Sequence, residues 1–126
     1  MISILAKKLE RYTCLFILDD FISDKSIDVR RSEILKLATS GRHYNHYLWL
    51  LTQVYNSIPK PIRRQAKQIH LWTPKERHEF KLVTDENWVF NDQDEINSIQ
   101  KYLNNNPSSH LTIIITNRIK SYHISK

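Results

Sequence analysis

The chain contains very little glycine: Gly41 is the only glycine in 126 residues. A Walker A loop (GxxxxGKS/T) and a dinucleotide-binding loop (GxGxxG) each need several glycines, because their backbone amides must approach phosphate closely. Neither loop is present in this sequence. We therefore expect that the chain by itself does not hold a nucleotide phosphate in either of these ways.

Cysteine and long apolar segments are also scarce. Cys14 is the only cysteine, which excludes an internal disulfide and a zinc site built from several cysteines. The longest apolar runs, at 15–18 and 47–51, are far shorter than the roughly 20 residues that cross a bilayer. Lys7 and Lys8 follow the apolar N-terminal residues, which is the wrong order for a secretory signal. We expect an intracellular protein with no membrane segment.

The remaining composition is that of one globular domain, with 40% hydrophobic and 25% charged residues. The net charge of +6 is concentrated in the middle third of the chain, where residues 41–81 carry eight basic and two acidic side chains. Such a pattern is typical of a surface that faces a polyanion, and also of a basic surface that faces only solvent. Composition alone does not separate these two interpretations.

The hydrophobic pattern predicts an α/β fold with a mainly parallel sheet. Apolar residues at helical spacing predict three helices, over 2–11, 28–40 and 92–103. Continuous apolar runs predict two buried strands, as in a parallel sheet, over 12–18 and 47–52, and 68–72 is a third, short strand candidate. A further pair of strands is predicted at 111–116 and 119–124.

The first predicted strand ends in Asp19 and Asp20. Ligands of parallel α/β sheets bind beyond the carboxyl ends of the strands. An apolar strand followed by two carboxylates is typical of a Walker B motif, in which one carboxylate anchors hydrated Mg²⁺ and the other polarises the attacking water. A solvated, helix-capping Asp pair is the alternative. A phosphate-accepting receiver domain is disfavoured, because it requires a third Asp where this sequence has Thr52-Gln53.

Four motifs follow one another in a characteristic order. They are the strand ending in DD at 19–20, GRH-x-N at 41–45, the strand ending in TQ at 52–53, and IP-x-x-IR at 58–63. Together they resemble the FtsK–HerA superfamily, and within it the poxvirus-type genome-packaging ATPases of large DNA viruses and of Polinton- and adintovirus-like elements.

The resemblance implies a partial RecA-like P-loop NTPase core that lacks its first strand and phosphate loop, followed by a C-terminal helix and strand pair. It implies a single incomplete domain over 1–126, with the Walker B and sensor strands in 1–84 and an extension over 85–126. In the RecA-like strand order 5-1-4-3-2, the missing first strand lies between the strands at 47–52 and 68–72. Unpaired groups at dry strand edges cost about 1–3 kcal/mol each, so we expect these strands either to pair differently or to be poorly stable.

The resemblance also implies roles for individual residues. Asp19 corresponds to the Mg²⁺-associated carboxylate, Asp20 to the carboxylate that polarises water, and Gln53 to the sensor that contacts water or the γ-phosphate. Arg42 would act on the nucleotide of a neighbouring subunit, and a solvated turn arginine is the alternative. The implied cofactors are ATP and Mg²⁺, in the completed protein only.

The implied partners are double-stranded DNA, further copies of the chain in a ring-shaped homo-oligomer, and viral capsid components. The implied compartment is a viral factory, or the host cytoplasm or nucleus. Four basic residues after the Pro59/Pro61 turn would contact DNA phosphates: Lys60, Arg63, Arg64 and Lys67. Arg63 has a competing structural interpretation as part of IP-x-x-IR. The histidines show no HExxH or similar spacing, so we expect no transition-metal site.

Two functions remain open at this point. The chain is either the C-terminal part of an ATP-driven double-stranded DNA translocase that packages viral or virus-like element DNA into capsids, or a non-catalytic truncated remnant that acts as a basic nucleic-acid-binding module.

Overall fold

The computed structural model describes residues 2–20, 28–73, 76–116 and 120–126, which form a mixed α/β structure. The chain divides into two compact units, Met1–Gln65 and Ala66–Lys126.

The first unit is built on a two-stranded parallel sheet. Its elements are α1 (Ile2–Lys8), β1 (Cys14–Leu18), α2 (Asp28–Ser40), a 3-10 turn (Gly41–Tyr44), β2 (His46–Leu50), a second 3-10 turn (Tyr55–Ser57) and the short α3 (Lys60–Arg63). Strands β1 and β2 pair in parallel from Cys14↔His46 to Leu18↔Leu50, as predicted for the first two strands.

The two faces of the β1–β2 sheet differ in how they are covered. On one face, Leu18, Leu48 and Leu50 pack against a buried cluster that is formed by Ile34, Ile58 and Ile62. On the other face, five large apolar side chains are 44–63% exposed, namely Leu15, Ile17, Tyr47, Trp49 and Leu51. Parallel sheets usually bury both faces, so the second face is the unusual one.

The second unit combines two helices with a three-stranded antiparallel sheet in the order β3–β4–β5. Its elements are β3 (Gln68–Trp72), α4 (Arg77–Asn87), α5 (Gln93–Asn105), β4 (His110–Ile115) and β5 (Lys120–Ser125). The most buried apolar side chains come from α4, α5 and β4, and are at most 1% exposed: Phe80, Val83, Leu103, Leu111 and Ile113. At the start of α5, the Asp92 side chain accepts a hydrogen bond from the Glu95 N–H (2.8 Å), which is a common N-cap. The predicted C-terminal helix and strand pair are confirmed.

The pairing of β3 corrects one prediction. The sequence assigned β3 to a mainly parallel sheet, beside a missing strand, but β3 pairs antiparallel with β4 from Gln68↔Ile114 to Trp72↔His110. The C-terminal part of the chain thus provides the hydrogen bonds that one edge of β3 needs. Among the described strands only β1 and β2 pair in parallel, whereas β3, β4 and β5 pair antiparallel. The prediction of a mainly parallel sheet is therefore wrong for the described strands as a set.

Candidate functional site

The carboxyl ends of β1 and β2 bring the predicted Walker B and sensor residues to one edge of the sheet. Asp19 and Asp20 directly follow β1, and Gln53 lies in the loop after β2. The Leu51 N–H donates to the Leu18 carbonyl (2.9 Å), so the two chains are still paired where the carboxylates begin. Because the strands are parallel, both polar loops leave the sheet on the same side.

The two carboxylates have different backbone environments. Asp20 has a φ of 52°, in the left-handed region that residues other than glycine adopt infrequently. Its N–H donates to Oδ1 of Asp19 (2.8 Å). This bond engages one carboxylate oxygen of Asp19. Both residues are exposed.

The described residues do not form a metal site by themselves. In the ranges that the structure covers, no three His, Cys, Asp or Glu residues lie close enough together to hold a metal ion. Mg²⁺ at a nucleotide usually has only one or two protein carboxylates as ligands, together with phosphates and water. The loop after β1 offers two exposed carboxylates, which is the number that this second kind of site uses.

The loop after β2 is shaped by the Thr52 side chain. Its Oγ1 accepts a hydrogen bond from the Val54 N–H (3.2 Å) and shares another with Ser57 Oγ (2.9 Å). These bonds fix the turn that leads into the second 3-10 turn, and Gln53 is exposed within it. A side-chain amide at this position can both donate and accept hydrogen bonds, as the sensor role requires.

Arg42 lies at the opposite end of β2. It belongs to the 3-10 turn Gly41–Tyr44, just before the strand begins. The five residues of β2 separate this turn from the Gln53 loop by roughly 17 Å. Within one chain, the structure therefore does not bring Arg42 together with Asp19, Asp20 and Gln53.

Close packing explains the sequence of the turn before β2. A Cβ atom on Gly41 would lie 3.2 Å from the His46 carbonyl oxygen, closer than most Cβ contacts, so the backbone at His46 would have to shift slightly to accommodate a side chain there. His46 is 7% exposed, and its Nε2 donates to the Ala6 carbonyl (3.0 Å). Its ring also packs edge-on against Phe16, with 5.5 Å between the centroids. The turn and the start of β2 thus belong to the framework that joins α1 to the sheet.

The IP-x-x-IR motif makes its contacts inside the first unit. Ile58 and Ile62 are 8% and 5% exposed and belong to the buried cluster. Nη1 of Arg63 donates to the Ile58 carbonyl (3.0 Å) and to Asn56 Oδ1 (3.2 Å), and the guanidinium lies 5.0 Å from the centroid of the Tyr55 ring. These contacts favour the structural interpretation of Arg63.

The other three predicted DNA-binding residues, Lys60, Arg64 and Lys67, are exposed. The Arg64 N–H donates to the Lys60 carbonyl (3.0 Å), so these two residues are one helical turn apart. Residues at this spacing lie on one face of a helix and can reach the same phosphate backbone. Lys67 precedes β3 and belongs to the second unit.

The sequence did not single out the outer face of the β3–β4–β5 sheet. The Trp72 ring stacks on the His110 ring, with centroids 4.8 Å apart and planes at 24°. His70 Nδ1 shares a hydrogen bond of 3.1 Å with Thr112 Oγ1, and His123 is paired with Thr112 from the other side. The i, i+2 spacing of His70 and Trp72 indicates a common strand face, but their partners lie in strands far along the chain.

Comparison with known proteins found no match to a family model, to a curated protein or to a solved structure. In the part of the chain that the structure describes, no helix is long and apolar enough to span a bilayer. The function is therefore argued from the two strand ends and from the exposed surfaces.

Proposed function

We propose that the chain is the C-terminal part of an ATP-driven double-stranded DNA translocase, which packages viral or virus-like element DNA into capsids. The observation that supports this most is the parallel pairing of β1 with β2. It gives Asp19, Asp20 and Gln53 a common edge of the sheet, at the end where such sheets bind ligands. The order of the four sequence motifs is the second support.

The three residues divide the work at a nucleotide. ATP with Mg²⁺ supplies the phosphoryl group and the charge neutralisation that phosphoryl transfer needs. Asp19 would hold the hydrated cation through a carboxylate oxygen. Asp20 would accept a hydrogen bond from the attacking water and so orient it, and the Gln53 amide would contact the same water or the γ-phosphate.

The exposed apolar face of the β1–β2 sheet supports the proposal that a further segment packs against it. Strands whose apolar residues lie on both faces are stable when helices cover both faces, and exposed apolar patches mark sites of interaction. A segment that carries the first strand and phosphate loop would pair beside β2 and bring its own helices. We call the chain preceded by such a segment, encoded upstream in the same reading frame, the completed protein.

Arg42 fits a role in trans. Its backbone lies at the amino end of β2, away from the strand ends that carry Asp19 and Gln53. In a ring of identical subunits, a residue at the amino end of β2 can instead face the nucleotide of the neighbour. Lys60, Arg64 and Lys67 would contact DNA phosphates without reading sequence.

The second candidate is a non-catalytic remnant that binds nucleic acid through its basic surface. The exposed Lys60 and Arg64 favour it, as does the single glycine, which excludes a phosphate loop in this chain. The transcript that encodes the chain separates the two candidates. We expect a reading frame that continues upstream of Met1 and encodes GxxxxGKS/T, and a product that binds Mg·ATP in equilibrium dialysis. A stop codon directly upstream would leave the remnant as the better account.

A further inference from the structure

We propose that the outer face of the β3–β4–β5 sheet binds single-stranded nucleic acid, and that the Trp72–His110 ring stack is a platform for one base. This surface belongs to the second unit, and the inference does not depend on the proposed ATPase. It is also a different inference from the predicted contacts of Lys60, Arg64 and Lys67 with duplex DNA.

The Trp72 side chain is exposed and held in position at the same time. It is 54% exposed, although indole is among the most favourable side chains to bury. Trp72 and His110 face each other across the β3–β4 pair, and their rings are stacked at 4.8 Å. Because His110 covers one side of the indole, the other side can receive a base with little loss of rotamer freedom.

The aromatic surface continues from Trp72 to His70. The His70 ring centroid lies 5.6 Å from that of His110 and 6.5 Å from that of Trp72, and its hydrogen bond with Thr112 fixes the ring. Partial burial, together with the neighbouring His110 and His123, lowers the pKa of His70. At neutral pH its imidazole is therefore uncharged and offers an aromatic plane.

The charge distribution of the second unit suits a polyanion on this face. All acidic residues of 66–126 belong to the segment from Glu76 to Glu95. This segment begins one residue before α4 and ends in the first turn of α5. The three strands contain no Asp or Glu. A phosphate backbone that crosses the strands would meet no carboxylate on them.

The geometry favours a single strand over a duplex. Bases in a duplex are already stacked and do not offer a face to a side chain, whereas a single strand can stack its bases on exposed aromatic rings. A protein partner is the competing occupant, and the experiment below distinguishes it.

The experiment measures binding of the full chain to a fluorescein-labelled oligothymidine of about ten nucleotides by fluorescence anisotropy. Trp72→Ala is compared with Trp88→Ala, because Trp88 is 84% exposed in the same unit but follows the acidic helix α4. Stacking of one base predicts that Trp72→Ala raises the Kd by about 5- to 100-fold. We expect Trp88→Ala to stay within about twofold of the wild type, and Trp72→Phe to retain most of the affinity because it keeps an aromatic ring.

A second measurement avoids dependence on the folding of Trp72→Ala. In the Trp49→Phe/Trp88→Phe chain, Trp72 is the only tryptophan, and we expect the oligothymidine to quench its fluorescence. The inference is overturned if this fluorescence does not change at saturating oligonucleotide, if the chain does not bind the oligonucleotide, or if Trp72→Ala and Trp88→Ala bind it equally. Self-association that Trp72→Ala abolishes, with oligonucleotide binding unchanged, would instead assign the face to a protein partner.

Discussion

At the scale of single residues, Asp19 and Asp20 are adjacent in sequence but differ in structure. The Asp19 carboxylate already accepts a backbone hydrogen bond from Asp20, and Asp20 has a left-handed backbone conformation. A carboxylate that is oriented in this way can hold a hydrated cation in a fixed place, while its neighbour remains available to a water molecule. The two residues should therefore contribute to different steps.

Substitutions of these two residues in the completed protein test this division. Asp20→Asn should remove ATP hydrolysis and leave Mg·ATP binding largely intact, because the base that orients water is lost while the cation contact remains. Asp19→Ala should also weaken the Mg²⁺-dependent part of ATP binding. Isothermal titration with and without Mg²⁺, together with phosphate release, measures both. Glu10→Gln removes an exposed charge elsewhere and serves as the control. Small and equal effects of Asp19→Ala and Asp20→Asn would favour a solvated Asp pair.

The sequence was sufficient to predict that Asp19, Asp20 and Gln53 lie just after strands, because a strand and the residues that follow it are local features. For Arg63 the sequence left two interpretations open, a contact with DNA and a structural role. Its contacts with Tyr55, Asn56 and Ile58 depend on how the loop before α3 folds back. The sequence already places Arg42 before β2 and Gln53 after it. The distance between their backbones can be estimated only when the first and last residues of β2 are known.

At the scale of elements, the strands were predicted to within about two residues, and β1, β2 and β4 are marked by apolar runs. The sequence did not predict that β4 would be the partner of β3. A short apolar strand such as Gln68–Trp72 can join a parallel or an antiparallel sheet, and its partner β4 comes from a distant part of the sequence. The aromatic face of this sheet was missed for the same reason, since His110 joins Trp72 only through that pairing.

The unequal cover of the β1–β2 sheet gives a prediction for stability. Ile34→Ala should lower the free energy of unfolding by about 2–5 kcal/mol, because Ile34 is 3% exposed within the apolar cluster. Trp49→Ser should change it by no more than about 0.5 kcal/mol, because Trp49 is 58% exposed on the other face. Urea unfolding followed by far-UV circular dichroism measures both. A loss for Trp49→Ser as large as that for Ile34→Ala would mean that the face is covered in solution.

The basic residues around α3 give a prediction for DNA binding. Replacing Lys60, Arg64 and Lys67 with Ala should weaken binding to all duplex sequences alike. It should also reduce the slope of log K against log salt by about 2 to 3, since each neutralised phosphate contributes about 0.9. The control replaces Lys7, Lys8 and Arg11, which are also exposed and remove the same charge. Equal effects of the two triple variants, or unchanged affinity and slope in a folded triple variant, would assign the charge of 60–67 to solvent.

At the scale of the whole molecule, the chain divides into two compact units after Gln65. Length and composition set an upper limit on the number of domains, but not the place where contacts are few. The first unit contains the candidate nucleotide residues, and the second contains the aromatic sheet face. Neither unit contains a phosphate loop, because the only glycine, Gly41, lies in the turn before β2.

The most direct test of the proposed function is ATP turnover by the completed protein in the presence of duplex DNA. We predict hydrolysis that duplex DNA stimulates and that Asp20→Asn abolishes, and no turnover by residues 1–126 alone. Turnover by residues 1–126 that Asp20→Asn abolishes would contradict the account, because a chain without a phosphate loop would then hold ATP. No turnover by a folded completed protein with DNA would contradict it equally.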